Sequence, residues 1–185
     1  MSIAVNELGL IHYPDAVLRA KARHIESVNN DVRAVARRMI EIMHEEEGIG
    51  LAAPQIGLSW RLFVADVPED DEKGRHAAGH LPTATTGPIV YINPVIRQLE
   101  GPVEPFNEGC LSLPDILGEV LRPPIVTLDA LDLEGKPFSL RAGGLLARCW
   151  QHELDHLDGV LILDRMSQAS RLKNRPLIKK LERDG

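Results

Sequence analysis

The sequence has 185 residues, 44% of them apolar and 26% charged, which is typical of one soluble globular domain spanning residues 1–185. Its formal net charge of -6 argues against binding to nucleic-acid phosphates. No apolar run reaches transmembrane length, and the N-terminus lacks the charged-then-apolar pattern of a signal peptide. We therefore expect a cytoplasmic protein with no membrane partner and no specific nucleic-acid partner.

The first periodic segment lies between residues 30 and 47. Asn30 can cap the start of a helix there, and Gly48 follows its last turn. Apolar side chains recur at helical spacing and predict an amphipathic helix: Val32, Val35, Ala36, Met39, Ile40 and Met43.

A glycine-rich stretch, GIGLAAPQIG, follows this helix at residues 48–57. Its glycines let the backbone pass close to a ligand or a neighbouring strand. Gln55 carries an amide that can donate a hydrogen bond to a developing oxyanion. Taken alone, the stretch is better explained as a helix end and a tight turn into a strand.

Short β-prone runs come next, at residues 62–65, 89–92, 120–121 and 125–128, with Pro and Gly between them. Residues 67–87 are polar and rich in Gly, Pro, Thr and charge, so we predict an exposed loop there. Gathered strands with helices against them indicate an α+β fold rather than alternating βαβ units.

Two helices are predicted in the C-terminal part of the chain. One runs from about Gly144 to Leu157, with most of its surface buried. The other forms a helical tail over residues 167–185, starting near Ser167 or Ser170. Pro176 is expected to kink or restart this last helix.

The most informative stretch is Gln-His-Glu-Leu-Asp-His at residues 151–156. His152 and His156 are four residues apart, so on a helix their side chains are neighbours that can reach one metal ion. Glu153 then lies beside the metal, where it can hold a reacting water, as in metal hydrolases with the H-E-x-x-H pattern. The alternative is a surface helix with chance histidines.

A catalytic metal site needs a third protein ligand and one open position. Cys149 lies on the same helix, three residues before His152. Cys110 lies in a turn-like approach to a strand, NEGCLSLP, and would reach the metal from another direction. Coordination geometry favours Cys110 but leaves Cys149 open, and either thiol can instead be a small buried apolar residue.

Together, three stretches resemble the signature motifs of the peptide deformylase family. GIGLAAPQ, EGCLSLP and QHELDH occur here in the family's order. Further similarity lies at Tyr13-Pro14-Asp15 and Ile92-Asn93-Pro94, so the resemblance extends to about residue 166. It implies a compact α+β domain with antiparallel strands around a central helix that carries both histidines, plus a C-terminal helix.

The resemblance also implies roles for individual residues. Cys110, His152 and His156 would bind one divalent metal, with Fe(II) expected and Zn, Ni or Co able to replace it. The reaction would remove the formyl group from the N-terminal formyl-methionine of new proteins and release formate. The remaining roles would be Glu153 as general acid and base, and Gln55 with the backbone N–H of Leu111 as oxyanion donors.

The substrate of such an enzyme is an N-formyl-methionyl nascent peptide, expected to lie along a strand edge. Gly50 would supply backbone contacts to it. Ile49, Phe106 and Leu145 are candidates for the methionine pocket, although ordinary core packing explains them equally well. The basic run at residues 171–180 suits a transient ribosome contact, but a solvated charged face is the favoured interpretation.

Two other functions compete with this one. A zinc metallopeptidase can use the same helical motif, but it usually takes a third His or Glu, and no clear candidate follows His156. A non-enzymatic, ribosome-associated metal-binding domain is the second alternative. Glu153 argues against it, because a structural metal site needs no base.

Overall fold

A computed structural model of the protein describes residues 3–69 and 80–185. The described α-helices are α1 (Asn30–Glu45), α2 (Gly144–Leu157), α3 (Ile162–Arg165) and α4 (Gln168–Asp184). The described strands are β1 (Gly50–Ala52), β2 (Leu62–Ala65), β3 (Ile89–Glu100), β4 (Glu104–Cys110), β5 (Leu113–Arg122), β6 (Ile125–Leu131) and β7 (Pro137–Gly143). The predicted α+β class is confirmed.

The strands form two antiparallel sheets in the described part of the chain. One sheet has five strands in the order β1-β2-β3-β6-β7. The other is a two-stranded ribbon of β4 and β5. Cys110 ends one ribbon strand and Leu113 begins the other, so the thiol lies at the ribbon's turn.

Helices α1 and α2 cover opposite faces of the five-stranded sheet. All four residues of β2 are buried because successive side chains alternate between the two faces. Phe63 and Ala65 pack with α2 residues such as Trp150, whereas Leu62 and Val64 pack with α1 residues. The helix that carries both histidines therefore packs on the face of the large sheet opposite to α1, and its Arg148 forms hydrogen bonds with both strands of the ribbon.

The first helix differs from the prediction at both ends. Its cap is Asn29, whose side chain accepts a hydrogen bond from the backbone N–H of Val32, while Asn30 is the first helical residue. The helix ends at Glu45, and the left-handed residue that follows is Glu47 (φ 54°) rather than Gly48. The prediction that α2 spans Gly144 to Leu157 is confirmed.

The C-terminal helix starts after Ser167, whose side chain accepts a hydrogen bond from the backbone N–H of Ser170. It runs through Pro176 without a break, so the helix does not restart there, and the alternative, a kink at Pro176, stays a prediction. Proline removes one helical hydrogen bond, but this part of α4 is exposed, and water can bind the carbonyl that is left free. Within the described residues, no helix is both long enough and apolar enough to cross a membrane.

The predicted loop at 67–87 lies partly outside the described residues, which omit 70–79. The two described ends of this segment are joined by hydrogen bonds. The backbone N–H of Thr85 donates to the carbonyl of Val67, and the N–H of Val67 donates to Oγ1 of Thr85, both at 2.9 Å. Val67 is buried, so the expectation of exposure is wrong at this residue.

Candidate metal centre

Cys110, His152 and His156 converge at one point, with their ligand atoms all within 4.8 Å of one another. Helix α2 supplies both imidazoles, whose ring centroids lie 5.0 Å apart, as the four-residue spacing requires. The ribbon supplies the sulfur, and Sγ of Cys110 lies 3.2 Å from Nε2 of His156. The cluster therefore joins two elements that are far apart in the chain.

The other thiol takes no part in this cluster. Cys149 is buried, and its Sγ lies 3.6 Å from the backbone carbonyl of Ile49. Burial raises its pKa well above that of an ordinary thiol, which disfavours the thiolate that a metal needs.

The donor set fits a soft or borderline divalent cation. One sulfur and two ring nitrogens suit zinc, iron(II) or their neighbours, whereas Mg²⁺ and Ca²⁺ prefer oxygen ligands. Oε2 of Glu153 is buried and has no hydrogen-bond partner within the described part of the chain. A cluster of three ligands beside such a carboxylate matches a catalytic site with one open position.

Glu108 orients the first imidazole from behind. Its Oε2 lies 3.1 Å from Nδ1 of His152, which leaves Nε2 of that ring for a cation. Arg122 binds the same carboxylate through two nitrogens, at 2.7 and 2.9 Å. Burial alone would raise the pKa of Glu108, but the hydrogen bonds from His152 and Arg122 hold it well below its usual range. The carboxylate is thus ionised and able to orient the ring.

Burial acts on the other titratable groups as well. It raises the pKa of Glu153 to about 7, against weaker lowering by the charges of His152 and Arg122. It lowers the pKa of His156, assisted by the same two charges. For His152, burial is outweighed by hydrogen bonds to Cys110 and Glu108, and the pKa rises. A cation therefore competes with the proton on His152.

A cavity of about 630 Å³ opens onto these groups. Its lining includes Ile49, Gly50, Gln55, Cys110, Leu111, His152 and Glu153. The remaining two predicted pocket residues, Phe106 and Leu145, are not part of this lining. Phe106 lies in β4 with the guanidinium of Arg148 over its ring, 5.2 Å from the centroid. Leu145 is partly buried against the core between α2 and the sheet.

Gln55 is held with its amide nitrogen towards the cluster. Its Oε1 accepts a hydrogen bond from the backbone N–H of Ala52 at 2.8 Å. Its Nε2 lies 3.3 Å from Oγ of Ser112 and 3.6 Å from Sγ of Cys110. Leu111 lies next to Cys110, in the turn between β4 and β5.

Gly50 lies where any side chain would collide with the centre. A Cβ atom there would overlap Oε1 of Glu153 and lie 2.7 Å from Sγ of Cys149. Strand β1 therefore passes directly against the carboxylate, which explains the glycine at this position.

No sequence pattern predicts a role for the charged residues behind the histidines. Glu108, Arg122 and Arg148 form a buried network there, and Asp155 accepts a hydrogen bond from Nη1 of Arg122 at 2.8 Å. Two of these residues lie within the sequence motifs: Glu108 is in the motif around Cys110, and Asp155 is between the two histidines. Neither position reveals which arginines pair with these carboxylates.

An α+β fold with a thiol, two imidazoles and a glutamate at the end of a cavity defines a metal-dependent hydrolase. The family described as polypeptide deformylase matches residues 8–172. Peptide deformylase 2 of Gloeobacter violaceus is 42% identical over 164 residues, covering 89% of this chain and 79% of its own. The peptide deformylase of Rhizobium meliloti is 42% identical over 162 residues, covering 88% and 86%.

The fold gives the same result. The crystal structure of peptide deformylase from Ehrlichia chaffeensis superposes with a TM-score of 0.85 at 33% identity, covering 96% of both chains. The chain belongs to the peptide deformylase family.

Proposed function

We propose that this protein hydrolyses the formyl group from the N-terminal formyl-methionine of newly made proteins and releases formate. The observation that carries the proposal is the convergence of Cys110, His152 and His156 beside Glu153 at the end of an open cavity. Its similarity to proteins named peptide deformylase supports the same reaction. A zinc metallopeptidase and a non-enzymatic metal-binding domain are not favoured.

Cys110, His152 and His156 would hold the divalent cation. When bound, the metal acidifies a water molecule and polarises the formyl oxygen, which makes hydrolysis of an unreactive amide feasible near neutral pH. We expect Fe(II) as the physiological metal from the family resemblance. A ligand set of two histidines and one cysteine also accepts Zn, Ni or Co.

Glu153 would move the proton. Its carboxylate lies at the cavity, and burial raises its pKa to about 7, close to the value at which a group both accepts and donates protons efficiently. It would take a proton from the reacting water and deliver it to the leaving amine.

Gln55 and the backbone N–H of Leu111 would stabilise negative charge on the formyl oxygen. The amide oxygen of Gln55 is held by the N–H of Ala52, so its nitrogen is directed towards Cys110 without further rearrangement. One donor of this kind typically contributes about 3 kcal/mol to catalysis.

The peptide would lie along strand β1. This strand is the outermost of the five-stranded sheet, so it has an edge on which an extended peptide can form main-chain hydrogen bonds. Gly50 would contact the peptide backbone, and Ile49 would contribute to the methionine pocket. Phe106 and Leu145 stay proposed pocket residues, although neither is part of the cavity lining.

The cellular compartment and a contact with the ribosome are also proposals. The substrates are nascent peptides, so we expect the protein to work in the cytoplasm. A transient ribosome contact through α4 is compatible with the basic residues of that helix, several of which are exposed.

The decisive test is formate release from formyl-Met-Ala by anaerobically purified protein, with metal analysis of the same sample. We expect turnover that depends on one divalent metal per chain. Cleavage of a blocked internal peptide instead would indicate the metallopeptidase. Metal binding without either activity would indicate the binding domain.

A further inference from the structure

Arg148 lies one helical turn before His152 and connects α2 to both strands of the ribbon. Its Nη1 donates to Oε1 of Glu108 at 2.8 Å and to the carbonyl of Val120 at 3.2 Å, and its Nη2 donates to the carbonyl of Glu104 at 2.8 Å. The guanidinium also covers the ring of Phe106. Only 11% of this side chain is exposed.

One of these contacts reaches Glu108, whose carboxylate orients the metal ligand His152. Oε1 of Glu108 is shared by Arg148 and Arg122, while Oε2 is shared by Arg122 and His152. With both oxygens held, the carboxylate cannot rotate away from the imidazole without breaking an ion pair in a buried site.

The two arginines have different attachments. Arg122 belongs to the ribbon and reaches the helix at Asp155, after His152 in the chain. Arg148 belongs to the helix and reaches the ribbon at Glu104, Glu108 and Val120, on both strands. The planar fork of an arginine holds two nitrogens in fixed directions for these bonds, whereas a lysine has one ammonium nitrogen on a flexible chain.

We propose that Arg148 is a positioning residue for the metal centre. It holds the ribbon that carries Cys110 against the helix that carries His152 and His156, and it holds Glu108 against His152. This inference rests on the metal site proposed above. Without Arg148 the ligand atoms would spend less time at binding distance, so the cation would leave faster.

The experiment compares wild type with Arg148→Ala and Arg148→Lys, each loaded with Co²⁺, and follows metal loss to an excess of chelator. Outer-shell partners of metal ligands typically contribute about 10–100-fold to affinity. We expect release from Arg148→Ala to accelerate by roughly that factor and from Arg148→Lys by an intermediate one. The visible spectrum of the Co²⁺ protein should change in the alanine variant, since it reports ligand geometry at the metal.

The matched control is Arg141→Ala. Arg141 also binds a carboxylate through two nitrogens, that of Glu100 at 2.9 and 3.0 Å, but its pair joins β7 to β3, away from the centre. We expect this variant to release metal at the wild-type rate.

Release at the wild-type rate from both Arg148 variants would overturn the proposal. Equal acceleration in Arg141→Ala would also overturn it, because the effect would then reflect general stability. If Arg148→Ala does not fold, Arg148→Lys decides the question alone. Failure of the metal site itself looks different, since wild-type protein would then bind no stoichiometric Co²⁺ at all.

Discussion

Nδ1 of His152 and Oε2 of Glu108 lie 3.1 Å apart, on the side of the imidazole that faces away from the metal cluster. This contact selects the ring nitrogen that meets the cation and increases its basicity. The reactive side of the centre is then left to Glu153 and Gln55. The groups that would hold the metal are therefore distinct from those that would act on the substrate.

Replacing Glu153 should abolish turnover but not metal binding. Glu153→Ala should lower kcat by about 10³-fold, because the variant loses the carboxylate that would move the proton between the reacting water and the leaving amine. Metal content, measured by atomic absorption, should equal that of wild type. Glu153→Gln keeps the shape of the side chain and serves as a control for packing. Turnover that survives in both variants would remove Glu153 from the mechanism.

The two cysteines should respond in opposite ways. Cys110→Ala removes one of three ligands and should lose its metal on dialysis, with loss of activity. Cys149→Ala should keep its metal, since that thiol contacts the carbonyl of Ile49 rather than the cluster. Metal-to-protein ratios after identical dialysis provide the measurement. The reverse pattern would make Cys149 the third ligand.

Gln55→Ala should lower kcat by about 10²–10³-fold with little change in KM, because the lost donor acts chiefly in the transition state. Ser112→Ala is the matched control. The hydroxyl of Ser112 contacts the same amide nitrogen of Gln55, and removing this hydroxyl leaves the amide itself in the site. Steady-state kinetics on formyl-Met-Ala measure both variants. Equal losses would mean that Gln55 acts only through packing.

Gly50→Ala should inactivate the enzyme while leaving its metal bound. The added methyl group would overlap Oε1 of Glu153 and force the carboxylate to move. A displacement of about 1 Å can cost on the order of 100-fold in rate. Gly9→Ala is a suitable control, because a Cβ atom there would have no neighbour within 4 Å. Activity of Gly50→Ala near the wild-type level would show that Glu153 has room to shift.

Asp164 should add acid-sensitive stability through its ion pair with Arg19. Burial favours a higher pKa, but the hydrogen bonds from Arg19 and from the backbone of Leu161 lower it. A lowered native pKa stabilises the fold above the unfolded value near 3.9, and this contribution disappears as the pH falls through the native pKa. Asp164→Asn should therefore cost roughly 0.5–1 kcal/mol at pH 6, after allowing for its partial exposure.

Urea unfolding of wild type and Asp164→Asn at pH 6 and pH 3 tests this dependence. Comparing the two proteins at each pH removes the contribution of all other carboxylates. The difference in unfolding free energy should shrink at the lower pH. A difference that grows towards pH 3 would contradict the assigned direction.

Local sequence patterns predict those parts of the structure that are determined by residues close together in the chain. The bounds of α2 and the proximity of its two histidines follow from one helical period. Strands β4 and β7 were not predicted, because their sequences, EPFNEGC and PFSLRAG, lack an uninterrupted β-branched run. Pairing with β5 and β6 makes them strands, and such pairing is decided by tertiary structure.

The same limit applies to the centre. The choice of Cys110 over Cys149 came from the family resemblance, because spacing along the chain left both thiols open. The contacts of Arg148 with Glu108 join residues 40 positions apart on different elements. No periodic pattern encodes such a pair, so the network that supports the histidines could only be seen in three dimensions.

The division of the ligands between ribbon and helix has a consequence for folding. A cation shared by Cys110, His152 and His156 would crosslink two segments that are distant in the chain, and this crosslink could form only in the native state. By mass action, each tenfold rise in free metal above its dissociation constant would then add about 1.4 kcal/mol to the free energy of unfolding. Metal supply would thus determine how long the protein survives in the cell as well as how fast it works.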